Sequence, residues 1–85
     1  MKVQLVGKQH MDFTTDDGSK MQGWKICCID LDTKRDGLEG FLVFNQFLPD
    51  GTTGASVVAG AKVAQKYEAY FNQRGKLEVL LDAKV

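Results

Sequence analysis

Aromatic and basic side chains lie close together at several points of this chain, a combination that suits the binding of single-stranded nucleic acid. The only tryptophan, Trp24, is followed directly by Lys25, and Lys20 precedes it within the same run. An exposed ring can stack on a base and contribute about 1–3 kcal/mol, while a nearby ammonium attracts phosphate. These three residues would form such a platform if the ring faces solvent. The alternative is a partly buried Trp24 in the core of a small domain.

Two other aromatic residues are candidates for contacts with bases. Tyr70 falls among the polar residues of an alternating pattern, which favours exposure, and packing against a neighbouring strand is the alternative. Phe44 falls on the opposite side of its strand from Phe41 and Phe47, and its alternative is a place in the core. Both rings are therefore candidate stacking groups.

Basic residues near bends and turns could follow a phosphate backbone. Arg74 lies in the segment NQRG between two alternating runs, and Lys8 follows Gly7, whose position inside a strand predicts a bulge or bend. Lys34 and Arg35 lie in another turn. Charges on turns are usually only solvated, and this is the alternative for all of them. The predicted nucleic-acid contacts are Lys8, Lys20, Trp24, Lys25, Phe44, Tyr70 and Arg74.

The remaining residues do not form a pattern that is typical of a catalytic site or a metal site. His10 is the only histidine, so neither a histidine-based triad nor a histidine-rich metal site can form. The adjacent Cys27 and Cys28 point to opposite faces of a strand and lack CxxC spacing, which indicates small buried thiols in a reducing compartment. No set of nucleophile, base and orienting group is present. We therefore expect no enzyme activity, no cofactor and no metal.

The charge balance limits how a nucleic acid could be bound. The 85 residues suit a single domain over 1–85, and 11 basic residues balance 11 acidic ones. Neutrality argues against binding driven by charge alone, although one face of a neutral protein can be basic. The start, MKVQLVGKQH, has too short an apolar stretch for a signal peptide, and no apolar run could span a membrane. We expect a cytoplasmic protein without a membrane partner or a small-molecule substrate.

Alternating apolar residues predict the strands that must position these side chains. Turn segments rich in glycine and aspartate, such as TTDDGSK and TKRDG, separate the first runs. The predicted strands cover residues 3–13, 20–32, 38–48, 62–72 and 76–85. The segment 55–75 also fits a helix, but NQRG between alternating runs is a hairpin signal, so we predict a linker or helical turn near 55–60 and then a strand. This order predicts an all-β or mainly β fold, a five-stranded OB-type barrel with a long loop or short helix between strands three and four.

Short motifs around the predicted turns carry a resemblance to a known family. They are KVQL at the start, Phe13-Thr14-Thr15 with Gly18, Gln22-Gly23-Trp24, and Cys28-Ile29-Asp30-Leu31, followed by a weaker pattern of Tyr67, Phe71, Gly75, Leu77 and Leu81. Together they resemble the small single-stranded DNA-binding proteins of filamentous phages, of the gene V type, and more loosely other OB-fold proteins of phages and plasmids. The similarity spans most of the chain in short pieces.

The resemblance implies non-catalytic binding of single-stranded DNA, or RNA, with little sequence preference, by a homodimer that serves DNA replication in a phage or mobile element. Aromatic rings would stack on bases while Lys20, Lys25 and Arg74 neutralise phosphates. The alternative is a small β-barrel subunit that binds protein in a phage, plasmid or mobile-element assembly. Basic residues that share a face with exposed aromatic residues would favour the first hypothesis, and scattered ones the second.

Overall fold

Five strands and one helix make up the described part of the chain, which is residues 1–82 of a computed structural model. In chain order they are β1 (Lys2–Thr14), β2 (Lys20–Asp30), β3 (Leu42–Pro49), α1 (Thr53–Ala59), β4 (Lys66–Phe71) and β5 (Leu77–Asp82). The strands pair antiparallel in one sheet of order β3-β2-β1-β4-β5. The predicted mainly β fold is confirmed, and a short helix separates the third and fourth strands.

β3 and β4 begin well after the positions that the alternation predicts, and β5 begins one residue late, at Leu77. β3 starts at Leu42 and not at residue 38, because Gly37 and Gly40 both have a φ of 83°, a left-handed conformation that interrupts an extended run. β4 starts at residue 66 and not at 62, and Ala64 in the preceding turn has a φ of 73°. The end of the last predicted strand, residues 83–85, lies outside the described residues.

The end of β2 is fixed by the carboxylate of Asp30. This side chain accepts the backbone N–H groups of Asp32 and Thr33 at 2.9 and 3.0 Å and the hydroxyl of Thr33 at 2.5 Å. Such local hydrogen bonds compete with the strand ladder and bend the chain into a turn, so β2 ends two residues before the predicted position. The same bonds, with the Thr33 hydroxyl first, hold the pKa of Asp30 below its usual range.

Helix α1 is held against the sheet at both of its ends. The Thr52 hydroxyl caps the N-terminus by accepting the N–H of Ala55 at 3.2 Å. Gly54 allows close approach to β5, because a Cβ at this position would collide with the backbone carbonyl of Leu77. The C-terminal carbonyl groups bind the ammonium of Lys8, which projects from β1.

The core lies between α1 and one face of the sheet, which we call the inner face. Its buried apolar residues are Val3, Leu5, Ile26, Cys28, Leu48, Ala55, Val58, Ala61, Tyr67, Ala69 and Leu77. In β2 only even-numbered residues are buried in this core, so the strand has one buried face although apolar residues occupy both.

A bulge in β1 changes which of its residues face the core. The pairing with β2 shifts between Leu5 and Gly7, so that Val6 is an extra residue. The bulge or bend predicted at Gly7 is confirmed. Before the shift the odd-numbered Leu5 lies on the inner face opposite Cys28; after it, odd-numbered residues lie on the other face.

A side chain connects the two strands at the ends of the sheet order. Gln46 of β3 donates from Nε2 to the carbonyl oxygen of Gly75, and its Oε1 accepts the N–H of Leu77 in β5, both at 2.8 Å. Over residues 1–82 no backbone ladder joins β3 to β5, so the sheet is not closed. We call the gap between Leu42–Pro49 and residues 71–77 the seam.

Candidate nucleic-acid interface

The side of the sheet that faces away from α1, over β1–β3, carries a surface of mostly apolar character, which we call the outer face. Cross-strand partners share a face, and the register therefore defines its members. They are Gln4, Gly7, Gln9, Met11, Phe13, Met21, Gly23, Lys25, Cys27, Ile29, Val43, Asn45, Phe47 and Pro49. This set contains one cation, Lys25, and no carboxylate, and Lys2 lies on the same side of β1 at the end remote from Phe13.

Two aromatic rings meet on the outer face. Phe13 and Phe47 lie edge to face, with 5.7 Å between ring centroids and 64° between planes. Phe47 lies against the bare backbone of Gly23, where a Cβ would come within 2.8 Å of its ring. Phe13 is 39% exposed, and Phe47 is half-buried. The absence of a side chain at Gly23 therefore leaves the space that the Phe47 ring occupies beside Phe13.

Lys25 is the cation of this surface. It is exposed and lies directly opposite Phe47 on β3 and Gln9 on β1. Met11, Phe13, Lys25 and Phe47 line a shallow cleft of about 280 Å³. An ammonium beside an aromatic pair, without a neighbouring carboxylate on the same face, is suited to a ligand with flat rings and negative charge.

Trp24 lies on the inner face, half-buried against the core. Its ring meets the edge of His10 at a centroid distance of 5.2 Å, and the Lys8 ammonium lies 5.1 Å from the ring centroid. His10 also contacts Asp50, with 2.9 Å between Nε2 and Oδ2. The structure thus separates Trp24 from Lys25, its neighbour in sequence, because adjacent residues of a strand face opposite sides.

The Lys8 ammonium forms hydrogen bonds with the C-terminal end of α1. Its Nζ donates to the carbonyl oxygens of Val58, Ala59 and Ala61 at 3.1, 3.1 and 2.7 Å. A lysine ammonium has three N–H donors, and these three bonds use all of them. Lys8 therefore caps α1 and has no donor left for a phosphate.

The other two predicted aromatic contacts lie apart from the outer-face pair. Phe44 is on the inner face, half-buried, and meets Phe71 edge to face at 5.9 Å across the seam. Tyr70 is 50% exposed and lies opposite Val79 on β5. β4 pairs with β1 only at residues 2–4, so Tyr70 lies near the end of the sheet that is remote from Phe13.

Lys20 and Arg74, the two remaining predicted cations, lie outside the outer face. Lys20 is exposed at the first position of β2, next to Met21 of the outer face. Arg74 is exposed in the turn between β4 and β5, which the Gln46 carboxamide holds beside β3. Arg74 and Lys76 line a cleft of about 370 Å³ that reaches Leu48 on β3. Lys20 pairs with Thr14 and lies on the side of β2 that carries Trp24, so Lys25 alone of the predicted cations lies beside the aromatic pair, and Arg74 lies alongside β3.

Sequence reasoning missed Phe13, Phe47 and Met11 as members of the surface. The alternation did place Phe47 on the same side as Asn45, a polar residue rarely found in a core. That shared side was the available signal for exposure. No comparable signal existed for Phe13, because its face depends on the bulge at Val6.

Besides Asp30, two titratable groups of the described residues have pKa values that their surroundings shift, Asp17 and Cys28. The hydroxyl of Thr15 and the N–H of Ser19 donate to Asp17 and lower its pKa to about 2. Burial, with a smaller effect from Cys27, raises the pKa of the Cys28 thiol to about 11.

Within residues 1–82, no cluster of three or more histidine, cysteine, aspartate or glutamate residues could hold a metal ion.

No helix in the described part of the chain is both long enough and apolar enough to cross a membrane. No protein-family model, curated protein or solved structure matches this chain.

Proposed function

We propose that this protein binds single-stranded DNA with little sequence preference, as a small non-catalytic OB-type domain of the gene V kind. The outer face carries this proposal: Phe13 and Phe47 form an aromatic pair, and Lys25 lies directly across from Phe47 on a surface without a carboxylate. Bases would stack on the exposed rings, and Lys25 would bind the adjoining phosphate.

The arrangement of the strands supports an OB-type barrel. OB folds bind oligonucleotides on the face of strands two and three and on the loops that join strands one to two and four to five. Here Lys25 and Phe47 lie on the corresponding strands, Lys20 follows the first of these loops, and Arg74 lies in the second. The Gln46 link between β3 and residues 75–77 stands where a barrel would close.

The binding would depend only moderately on salt. Lys20, Lys25 and Arg74 provide three phosphate contacts per protomer, which gives a slope of about −2 for the logarithm of the binding constant against the logarithm of salt concentration. Stacking must then supply much of the affinity. We propose that the protein acts as a cytoplasmic homodimer in the replication of a phage or mobile element, since a dimer doubles the number of rings that hold one strand.

Fluorescence anisotropy of labelled oligo(dT) tests the proposal at low and moderate salt. Phe47→Ala should weaken binding roughly 5- to 150-fold, the loss of one stacked base. Tyr70→Ala, which removes an exposed ring far from the outer face, is the matched control and should bind as the wild type does. Absence of oligo(dT) binding at micromolar protein, or equal losses in the two variants, would refute the proposal.

A protein-binding subunit of a phage, plasmid or mobile-element assembly is the second candidate. The observation that favours it is the apolar content of the outer face and its rim, where Phe41 and Val43 are 59% and 57% exposed. An interface between proteins would bury these residues and gain little from Lys25. Concentration-dependent association that persists at high salt, without binding of oligo(dT), would support this candidate over the first.

A further inference from the structure

The edge of β3 that faces away from β2, towards the seam, lacks the features that usually protect an exposed sheet edge. The run from Phe41 to Pro49, FLVFNQFLP, contains no charged residue. Exposed edges are normally blocked by charged side chains, bulges or a covering element, since unpaired backbone groups recruit other strands. The other end of the sheet order differs, because α1 packs against β5 and its edge carries Glu78 and Asp82.

The backbone groups that β3 presents along this edge follow from its register with β2. The N–H of Asp50 donates to the carbonyl oxygen of Gln22, so even-numbered residues of β3 bond to β2 and odd-numbered ones point away from it. Pro49, which lacks an N–H, occupies one outward position, as expected for an edge. Among residues 1–82, no hydrogen bond reaches the outward N–H and C=O groups of Val43 and Asn45.

A cavity opens beside these backbone groups. It measures about 510 Å³ and lies in the seam, between Leu42–Gln46 on one side and Phe71 and Gly75 on the other. Phe44 and Phe71 form an apolar wall of the cavity, and Asp30 and Arg35 line it as well. The volume is within the range of about 300–1,000 Å³ that is usual for ligand pockets.

We propose that the seam binds an extended apolar peptide segment of a partner protein as an additional strand beside β3. Its backbone would pair with Val43 and Asn45, and one apolar side chain would enter the cavity against Phe44 and Phe71. An extended polypeptide can form hydrogen bonds with the alternating N–H and C=O groups of β3. A nucleic acid lacks donors and acceptors at this spacing and has no aliphatic side chain to place against Phe44 and Phe71.

The geometry of the seam favours a single strand over a second copy of this chain. An added strand needs about 4.8 Å beside β3. The seam is narrow, because the Gln46 side chain alone spans it to reach the carbonyl oxygen of Gly75. A second copy that paired through its own β3 would have to fit its β2 and β1 into the same gap. This site goes beyond nucleic-acid binding and does not depend on it, because it uses the backbone edge of β3 and its inner side chains.

Selection from a phage-displayed library of random linear dodecapeptides tests the proposal, with each enriched peptide then synthesised and titrated. Asn45→Pro removes an outward N–H without breaking a bond to β2, and Asn45→Ala is its matched control. Peptides should bind the wild type and Asn45→Ala with the same affinity. They should bind Asn45→Pro roughly tenfold or more weakly, because proline removes one backbone hydrogen bond and disturbs the bonds beside it. Val43→Pro provides the same test if Asn45→Pro does not fold.

Amide exchange measured by NMR locates the peptide on the unmodified protein. Protection of the Val43 and Asn45 amides on addition of a selected peptide, with no effect of Lys25→Glu on its affinity, would support the proposal and separate it from DNA binding. Failure to enrich any peptide, equal affinity for Asn45→Pro, or a wild-type dimer that Asn45→Pro dissociates would each overturn it, the last in favour of a second copy.

Discussion

The Lys8 ammonium lies 5.1 Å from the centroid of the Trp24 ring and thereby joins a strand, a helix and the largest aromatic side chain of the chain. The same nitrogen binds three carbonyl oxygens at the C-terminal end of α1, where a cation is favoured by the helix dipole. Both residues contribute to the stability of the fold, and the outer face, where we propose that nucleic acid binds, lies on the opposite side of the sheet.

Lys8→Met should lower the free energy of unfolding by about 1–3 kcal/mol, because hydrogen bonds to a charged group are lost while the apolar stem remains. Denaturant titration measures the loss. Lys66→Met, at an exposed position on β4, is the control and should change stability little. An oligo(dT) affinity that falls in folded Lys8→Met but not in Lys66→Met would show that Lys8 contacts DNA after all.

Gln46→Leu should open the seam. The carboxamide currently donates to Gly75 and accepts from Leu77, so its loss should cost about 1–3 kcal/mol and speed exchange of the Leu77 amide. Gln46→Glu is the comparison, since it keeps an acceptor for Leu77 but has no donor for Gly75. If the Leu77 amide is equally protected in the wild type and in Gln46→Leu, the carboxamide does not hold β5 in place.

The low pKa of Asp17 makes a small, acid-labile contribution to stability. Its pKa of about 2 is below the ordinary value of 3.8, so the charged form favours the folded state. The contribution is complete above about pH 4 and is lost as the pH falls through about 2. Thr15→Val should move the Asp17 pKa towards 3.8 in an NMR titration, whereas Thr15→Ser, which keeps the hydroxyl, should not. Equal values in both variants would assign the shift to another cause.

The two adjacent thiols should react very differently. Cys27 is half-exposed on the outer face, whereas Cys28 is buried and has a pKa of about 11. Because the thiolate is the reactive form, an aromatic disulfide reagent should modify one thiol of the native protein at mildly alkaline pH. Native Cys27→Ser should be inert, and unfolding should expose the second thiol. Rapid reaction of native Cys27→Ser would mean that the β2–β3 region opens readily.

Strand positions were predictable because alternation and turn residues are local. Val3, Leu5, Gly18 and Pro49 mark their elements without reference to the rest of the chain. The start of β3 was not predictable, since Leu38 and Phe41 fit a strand and only the backbone conformations of Gly37 and Gly40 interrupt it.

The faces were harder to predict than the strands. Apolar residues occupy both sides of β2, and the buried side is chosen by α1, which packs on the face of Ile26 and therefore of Trp24. Helix position is a tertiary property, so no local pattern could show that Trp24 lies inside while Lys25 and Phe47 lie outside. Of the predicted residues, only Lys25 lies on the outer face, and the aromatic pair of Phe13 and Phe47 was found from the structure.

The extra residue in β1 decides which side of the sheet carries Phe13. Phe13 faces outward because Val6 has no partner of its own on β2, so that Gly7 lies opposite Cys27. If Val6 paired regularly with Cys27, Met11 and Phe13 would turn towards α1 and His10 would turn away from Trp24. A deletion of Val6 would instead join Leu5 to Gly7 and leave Phe13 opposite Met21, so the loss of this residue should preserve the outer face. One unpaired residue, far from the aromatic pair, thus reconciles the faces of the two halves of the strand.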